Sequence, residues 1–211
     1  MANTNIHIQQ LIAQGEHEQL DFKFEISDSK KIARSISAFA NTHGGRLLVG
    51  VKDNGVIAGI RCDEEVFMLQ AAAEMYCKPA VPLQFAEWQI EGKRILEVRI
   101  LPQKESLIYA PDKNNKEKVF VRVKDENILA NGMYIKAWQQ KKEGRLVNIS
   151  YTEVEKQCLT IIKENQAINW SQIRKKLKLK PFELNKILLD FLLIEIIVLQ
   201  ITEKGYFYTL K

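Results

Sequence analysis

The sequence predicts an α+β (α/β-like) chain: a mixed sheet-and-helix domain over residues 1–143, a linker at 144–150 and a small domain over 151–211. Three observations carry this reading. Apolar runs with strand character (47–51, 83–90, 94–100, 119–123) are interleaved with helical spacing at 30–41 and 64–77, the order expected of a mixed domain. Beyond residue 150 the pattern changes to three helical stretches and then two short strands. The composition, 46% hydrophobic and 27% charged, is that of an ordinary globular protein and excludes a disordered chain.

The elements follow in order. Residues 6–14 form a first helix that stops at Gly15. Residues 20–24 form a strand whose alternation puts Asp21 and Lys23 on one face and Leu20, Phe22 and Phe24 on the other. Ser27-Asp28-Ser29 is a helix N-cap for residues 30–41, where Ile32, Ser35, Ile36 and Phe39 share a face. The polar cluster Asn41-Thr42-His43-Gly44-Gly45 ends that helix. A strand over 47–51, a turn at Asp53-Asn54-Gly55 and a short strand over 56–60 come next. Asp63 is expected to cap a helix over 64–77 with Val66, Leu69, Ala73 and Tyr76 inward.

Pro79 and Pro82 break the chain before a hairpin of 83–90 and 94–100 around Glu91-Gly92. Pro102 and Pro111 bracket a loop, residues 112–118 form a polar tip, and 119–123 return as a strand. Residues 133–142 read as a connecting helix. After the linker, Thr152 caps a helix to about residue 164, residues 170–177 are helical again, and Pro181 opens a third helix to about 193. Strands over 197–201 and 206–210 pair around Glu203-Lys204-Gly205. Three helices with a terminal hairpin resemble the winged-helix arrangement.

The three cysteines, Cys62, Cys77 and Cys158, have no zinc-ligand spacing, and His7, His17 and His43 form no cluster with them. Reduced, partly buried thiols are expected. No run approaches the length of a membrane span, and the N-terminal MANTNIHIQQ lacks a basic leader and a cleavage site. A cytoplasmic protein with no membrane partner is therefore expected. With 31 basic and 26 acidic residues, the net charge of +5 favours polyanions mildly.

The stretch SISAFANTHGGRLLVGVKDNGVIAGI at 35–60, taken with EHEQLDFK at 16–23, EGK at 91–93, the strand 95–100, VFVR at 119–122, Asn127 and Ala130, resembles the Schlafen-type, AlbA-like family over roughly residues 8–135. The resemblance implies a nucleic-acid-binding domain. In its nucleases, two carboxylates and a third after the second strand bind Mg²⁺ or Mn²⁺. The matching positions are Glu16, Asp21 and Asp53, which would then be catalytic and metal-binding. Asp21 stands where those nucleases have glutamate. The family is also described as divergent ATPase-like, but there is no GxxxxGK[ST], and Gly44-Gly45 precedes a strand rather than a helix.

Lys23 shares the Asp21 face and either neutralises phosphate or pairs with a neighbouring acid. Arg46, Arg122 and Lys124 are further candidate phosphate contacts. In the C-terminal domain, Arg174, Lys175, Lys176, Lys178 and Lys180 gather near the second helix, with Asn185 and Lys186 on the third and Lys204 on the wing. Glu183 and Asp190 are expected to point outward there and to oppose phosphate, while Phe182, Ile187, Leu188, Phe191 and Leu192 form the core stripe. Leu189, Ile194, Ile196 and Ile197 exceed what so small a module should bury and suggest a homodimer surface.

The leading expectation is a DNA-binding transcriptional regulator. The alternatives are a metal-dependent endoribonuclease acting on structured RNA such as tRNA, and a nucleotide (ATP)-responsive adaptor.

Overall fold

A computed structural model describes residues 2–60, 63–147 and 150–211. The chain forms two compact units, Met1–Leu129 and Ala130–Lys211.

In the first unit, helix α1 (Ala2–Gln14) leads into β1 (Leu20–Lys23), α2 (Ser29–Ala40), β2 (Gly45–Val49) and α3 (Glu64–Ala71). Strands β3 (Leu83–Ile90), β4 (Lys93–Ile100), β5 (Tyr109–Pro111), β6 (Glu117–Val123) and β7 (Glu126–Leu129) follow. One sheet has the order β1-β2-β4-β3, with β1 and β2 parallel and the other pairs antiparallel. A second sheet has the order β5-β6-β7.

Strand alternation divides the side chains of the first sheet between two cores. Leu47, Val49, Leu96 and Val98 pack with Ile36 and Phe39 of α2, and Leu69 of α3 completes that layer. Leu20, Phe22, Leu48 and Ile95 pack with Ile8 and Leu11 of α1. The expected cap at Asp28 is present, its carboxylate accepting from the amides of Lys30 and Lys31.

Four local expectations need correction. The predicted strand 56–60 is reduced to a single bridge between Val51 and Ile57. The amides of Ala58 and Gly59 both donate to the Gly50 carbonyl, folding the segment onto itself. Gly50 has φ +93°, and a Cβ there would lie 2.9 Å from the Gly59 carbonyl carbon, so the close approach requires glycine. Helix α3 gives way after Ala71 to a π turn, Ala72–Tyr76. Asp63 makes no capping bond and pairs instead with Arg94. Strand β7, absent from the sequence reading, adds an edge to β6.

The second unit holds α4 (Gly132–Lys142), α5 (Glu153–Asn165), α6 (Trp170–Leu177), α7 (Pro181–Leu193) and a hairpin of β8 (Ile197–Thr202) and β9 (Gly205–Leu210). Helix α4 groups with this unit, not with the residues before it. Lys141 near its end pairs with Glu195, which Lys211 also contacts, and the two ammonium groups hold that carboxyl at about 2.

Thr152 and Glu155 close a capping box on α5, and Asn169 and Gln172 do the same on α6. Ile168 bridges Tyr208, tying the segment before α6 to the hairpin. Cys158, Ile162, Ile173, Leu184, Leu188, Phe191 and Tyr208 form the core.

Part of the expected linker, residues 148–149, and Cys62 lie outside the described residues. No helix among the described residues is long and apolar enough to cross a membrane.

Candidate functional site

The positions singled out in the first unit fall on opposite faces of its main sheet. Asp21 and Lys23 alternate with Leu20 and Phe22, which face α1, so both acidic and basic side chains of β1 lie on the α2 side. Arg46 alternates with Leu47 and Val49, which face α2, and therefore lies on the α1 side. Acids and Arg46 do not make one site. Counting strand parity against the core residues of β2 is the signal that separates them.

On the α2 side the charged groups engage one another. Asp21, 4% exposed, receives Arg122 Nη2 at Oδ1 (3.1 Å), and Lys23 Nζ lies 2.7 Å from its Oδ2. Arg122 donates through Nη1 to Asn127 Oδ1 (2.9 Å), and Asn127 donates to Ser35 Oγ on α2 (2.9 Å). The guanidinium lies 4.9 Å from the centre of the Phe39 ring. Arg122 is 2% exposed and so is no surface phosphate contact, which corrects the reading from sequence. Lys124 is exposed in the turn between β6 and β7, with φ +52°.

Glu16 Oε1 accepts the Phe22 amide (2.8 Å). Burial pushes its carboxyl above the ordinary range, against the Phe22 N–H, which lowers it, and the adjacent Asp21 carboxylate raises it further. Asp53 sits in the exposed turn that precedes Gly55. Among the described residues no three His, Cys, Asp or Glu side chains are grouped as a metal site would need. With Asp21 held by Arg122 and Lys23, and Glu16 by a backbone amide, this donor set does not fit a Mg²⁺ or Mn²⁺ cage.

The raised Glu16 pKa has a measurable sign. A group whose folded pKa is raised contributes stability that is present below its unfolded value, near 4.5, and lost as pH rises through the folded value. Glu16→Gln keeps an acceptor for Phe22 and adds a donor toward Asp21. It is expected to stabilise the protein at pH 7.5 by on the order of 0.5 kcal/mol, discounted for solvent exposure, and to have little effect at pH 4. Urea denaturation of both proteins at the two pH values checks this; equal midpoints at pH 7.5 would refute the assigned shift.

On the α1 side, Glu97 of β4 is buried at 7% exposure and gathers three partners. Arg46 Nε lies 2.9 Å from Oε1, while His7 Nε2 (3.0 Å) and Trp88 Nε1 (2.9 Å) meet Oε2. The sequence reading did not mark Glu97 or Trp88. A carboxylate inside the apolar strand 95–100 was the available signal.

Two thiols, Cys77 and Cys158, are buried, and burial pushes each up to about 12. Neither is a nucleophile at neutral pH.

In the second unit Lys175, Lys176, Lys178 and Lys180 are exposed around the end of α6 and the start of α7, and Asn185, Lys186 and Lys204 are exposed beyond them. Arg174 stacks over the Trp170 ring at 5.5 Å. Trp170 Nε1 donates to Asn185 Oδ1 (2.7 Å), fixing the Asn185 amide on the outer face of α7.

Two expectations about α7 reverse. Phe182, read as core, is 78% exposed. Asp190, read as outward, is 8% exposed, with Arg145 Nη2 3.5 Å from its Oδ1. Glu183 remains outside, where it accepts the Lys180 amide (3.0 Å). The outer face of α7 is thus less acidic and more aromatic than its sequence suggested. Leu189 and Ile197 are buried within the unit, whereas Ile194 and Ile196 stay partly exposed.

Residues 16–131, just over half of the chain, match the family model described as Schlafen, AlbA_2. Among solved structures, the chain is similar to the DIP2311 protein from Corynebacterium diphtheriae (16% identity, TM-score 0.49), covering 97% of this chain and 43% of that one. It is also similar to the N-terminal domain of a RecG-related protein from Nitrosomonas europaea (20% identity, TM-score 0.39), covering 71% of this chain and 97% of that one.

Proposed function

The chain belongs to the Schlafen AlbA_2 family, and from that premise we propose that it is a nucleic-acid-binding protein, a DNA-binding transcriptional regulator whose C-terminal unit is a winged-helix module. The observation that carries this reading is the outer face of α6 and α7. Four lysines at 175, 176, 178 and 180 flank an exposed Phe182, a fixed Asn185 amide and Lys186.

Exposed lysines gain affinity for DNA by releasing condensed counterions. An amide on a helix face suits hydrogen bonding to an adenine edge, and an aromatic beside it suits apolar contact with a thymine methyl. The inward turn of Asp190 removes one of the two acids that would oppose phosphate there. Lys204 at the hairpin tip supports a backbone contact by the wing. The exposed Ile196, just before β8, and Val198 on it support pairing with a second copy.

The endoribonuclease reading has less support, because the Asp21 carboxylate is committed to Arg122 and Lys23.

The test is fluorescence anisotropy with labelled duplex DNA across 50–200 mM salt, for the wild type and the Lys175→Ala/Lys176→Ala/Lys178→Ala variant. The wild type is expected to show a steep negative log–log slope. The variant is expected to lose about 0.9 of that slope per lysine that contacts phosphate, with weakening that is uniform across sequences. A flat wild-type slope, or identical curves, would count against DNA binding by this face. Metal-dependent cleavage of tRNA by the wild type would favour the nuclease instead.

A further inference from the structure

We propose that the first unit carries a phosphoryl-group site in the cleft between the end of α1 and the β2–β4 strand pair. The inference goes beyond the DNA-binding reading and does not depend on it. The cleft has a volume of about 210 Å³ and is lined by Arg46, Arg99, His17, His43, Gln14 and Gln19 among others.

The register makes the case. Arg46 and Arg99 are direct cross-strand partners in the antiparallel β2–β4 pair, so their side chains leave the same face side by side. Like charges placed directly opposite one another destabilise a sheet. Arg46 has a counter-ion, Glu97, whose Oε1 lies 2.9 Å from its Nε, so the Nη groups can reach another acceptor. Glu97 is itself shared with His7 and Trp88. Arg99 is exposed, and its guanidinium has no hydrogen-bond or ion-pair partner among the described residues. One guanidinium is therefore left uncompensated beside another, in a cleft of polar side chains.

The other walls are held in place by their own hydrogen bonds. The Gln19 amide donates to His17 Nδ1 (3.2 Å), which places the imidazole proton on Nε2, 3.4 Å from Gln14 Oε1. Gln19 Nε2 donates to the His43 carbonyl (3.0 Å) and anchors the turn that carries His43. The His43 ring lies 3.2 Å from Glu18 Oε1, so the acid at the rim is already partnered. Two guanidinium forks side by side match the tetrahedral oxygens of a phosphate, which arginine binds in bidentate fashion. The limited volume suits a single phosphoryl group, free or at the end of a small molecule or strand.

Arg99→Gln isolates the proposal, since Arg99 supports no other described group and its loss should leave the fold intact. Calorimetric titration of the full chain with inorganic phosphate at low ionic strength is expected to give saturable binding, weakened about tenfold or more by Arg99→Gln, as for loss of a charge-assisted hydrogen-bond pair. Lys104→Gln, a charge change outside the cleft lining, is expected to leave it unchanged. AMP and a 5′-phosphorylated dinucleotide, run in parallel, distinguish the source of the phosphoryl group by whichever binds tighter. Non-saturable heats, or equal affinity in wild type and Arg99→Gln, would overturn the site. DNA binding through α6 and α7 is measured separately, so either result stands without the other.

Discussion

Arg122→Ala is expected to cost the first unit about 3–5 kcal/mol, the penalty for leaving a buried carboxylate without its partner. Asp21 and Arg122 are 4% and 2% exposed, and their guanidinium–carboxylate contact is 3.1 Å. The substitution also removes the donor to Asn127 Oδ1, the group that ties β7 to Ser35 of α2, and the stacking on Phe39. Lys23, 30% exposed, offsets part of the Asp21 charge and keeps the loss within this range.

Urea denaturation followed by Trp88 fluorescence, in a Trp138→Phe/Trp170→Phe background, reports on this unit alone. Two comparisons give the result its meaning. Lys78→Ala breaks the exposed pair with Glu117 and should change stability by less than about 0.5 kcal/mol. Asp21→Leu/Arg122→Met removes both charges and should recover most of the loss, because apolar groups of similar size replace a buried ion pair at little cost. A loss below about 1 kcal/mol for Arg122→Ala would mean that water reaches Asp21, and the network would not be structural.

How far such features were legible follows from the range of the interactions involved. Capping is local, so Thr152, Pro181 and Asp28 could be placed from neighbouring residues, and the helices they open match closely. Apolar runs on either side of Glu91-Gly92 likewise located β3 and β4 and their turn.

Arg122 could not be read this way. Its burial depends on Asp21, a hundred residues earlier, and on β7, whose short sequence has no apolar alternation of its own. Asp63 satisfies every local rule for a cap and is taken instead by Arg94 of β4. Phe182 and Asp190 exchange places relative to expectation because the helical face turned toward the core is set by packing against α4 and the hairpin. An aromatic in the first turn can lie clear of that contact, and an acid can be drawn in by a distant arginine. At the arginine cleft the residues were visible but their meeting was not, since only the β2–β4 register brings Arg99 beside Arg46.

Asn41 shows the same limit at the centre of the most recognisable motif, and its removal should have the second-largest effect. Read locally, it is a helix-stop residue, and it does occupy the C-cap of α2. Its side chain also ties together two distant segments, the residue before β5 and strand β6. Nδ2 donates to the carbonyls of Ile108 (2.8 Å) and Phe120 (2.9 Å), and Oδ1 accepts the Ile108 amide (2.8 Å).

Ile108 and Phe120 are 1% and 6% exposed, so water does not readily replace these bonds. Ser37 Oγ still donates to the Ile108 carbonyl (2.7 Å), leaving one amide and one carbonyl orphaned in Asn41→Ala. At about 1–2 kcal/mol for each orphaned group, the lower part of the usual range, the expected loss is about 2–4 kcal/mol.

Asn41→Asp separates this explanation from a simple loss of packing, since the two side chains have the same shape. At pH 7 the carboxylate still accepts the Ile108 amide but faces two carbonyl oxygens with no proton to offer. The repulsion raises its folded pKa, so the variant's deficit relative to wild type is full at neutral pH and shrinks as pH falls through that value. Below it, the protonated carboxyl donates to one carbonyl. Denaturant midpoints for wild type, Asn41→Ala and Asn41→Asp at pH 7 and pH 4.5 decide the matter. A deficit for Asn41→Asp that is the same at both pH values would show that the Asn41 amide is not the donor holding Ile108 and Phe120 together.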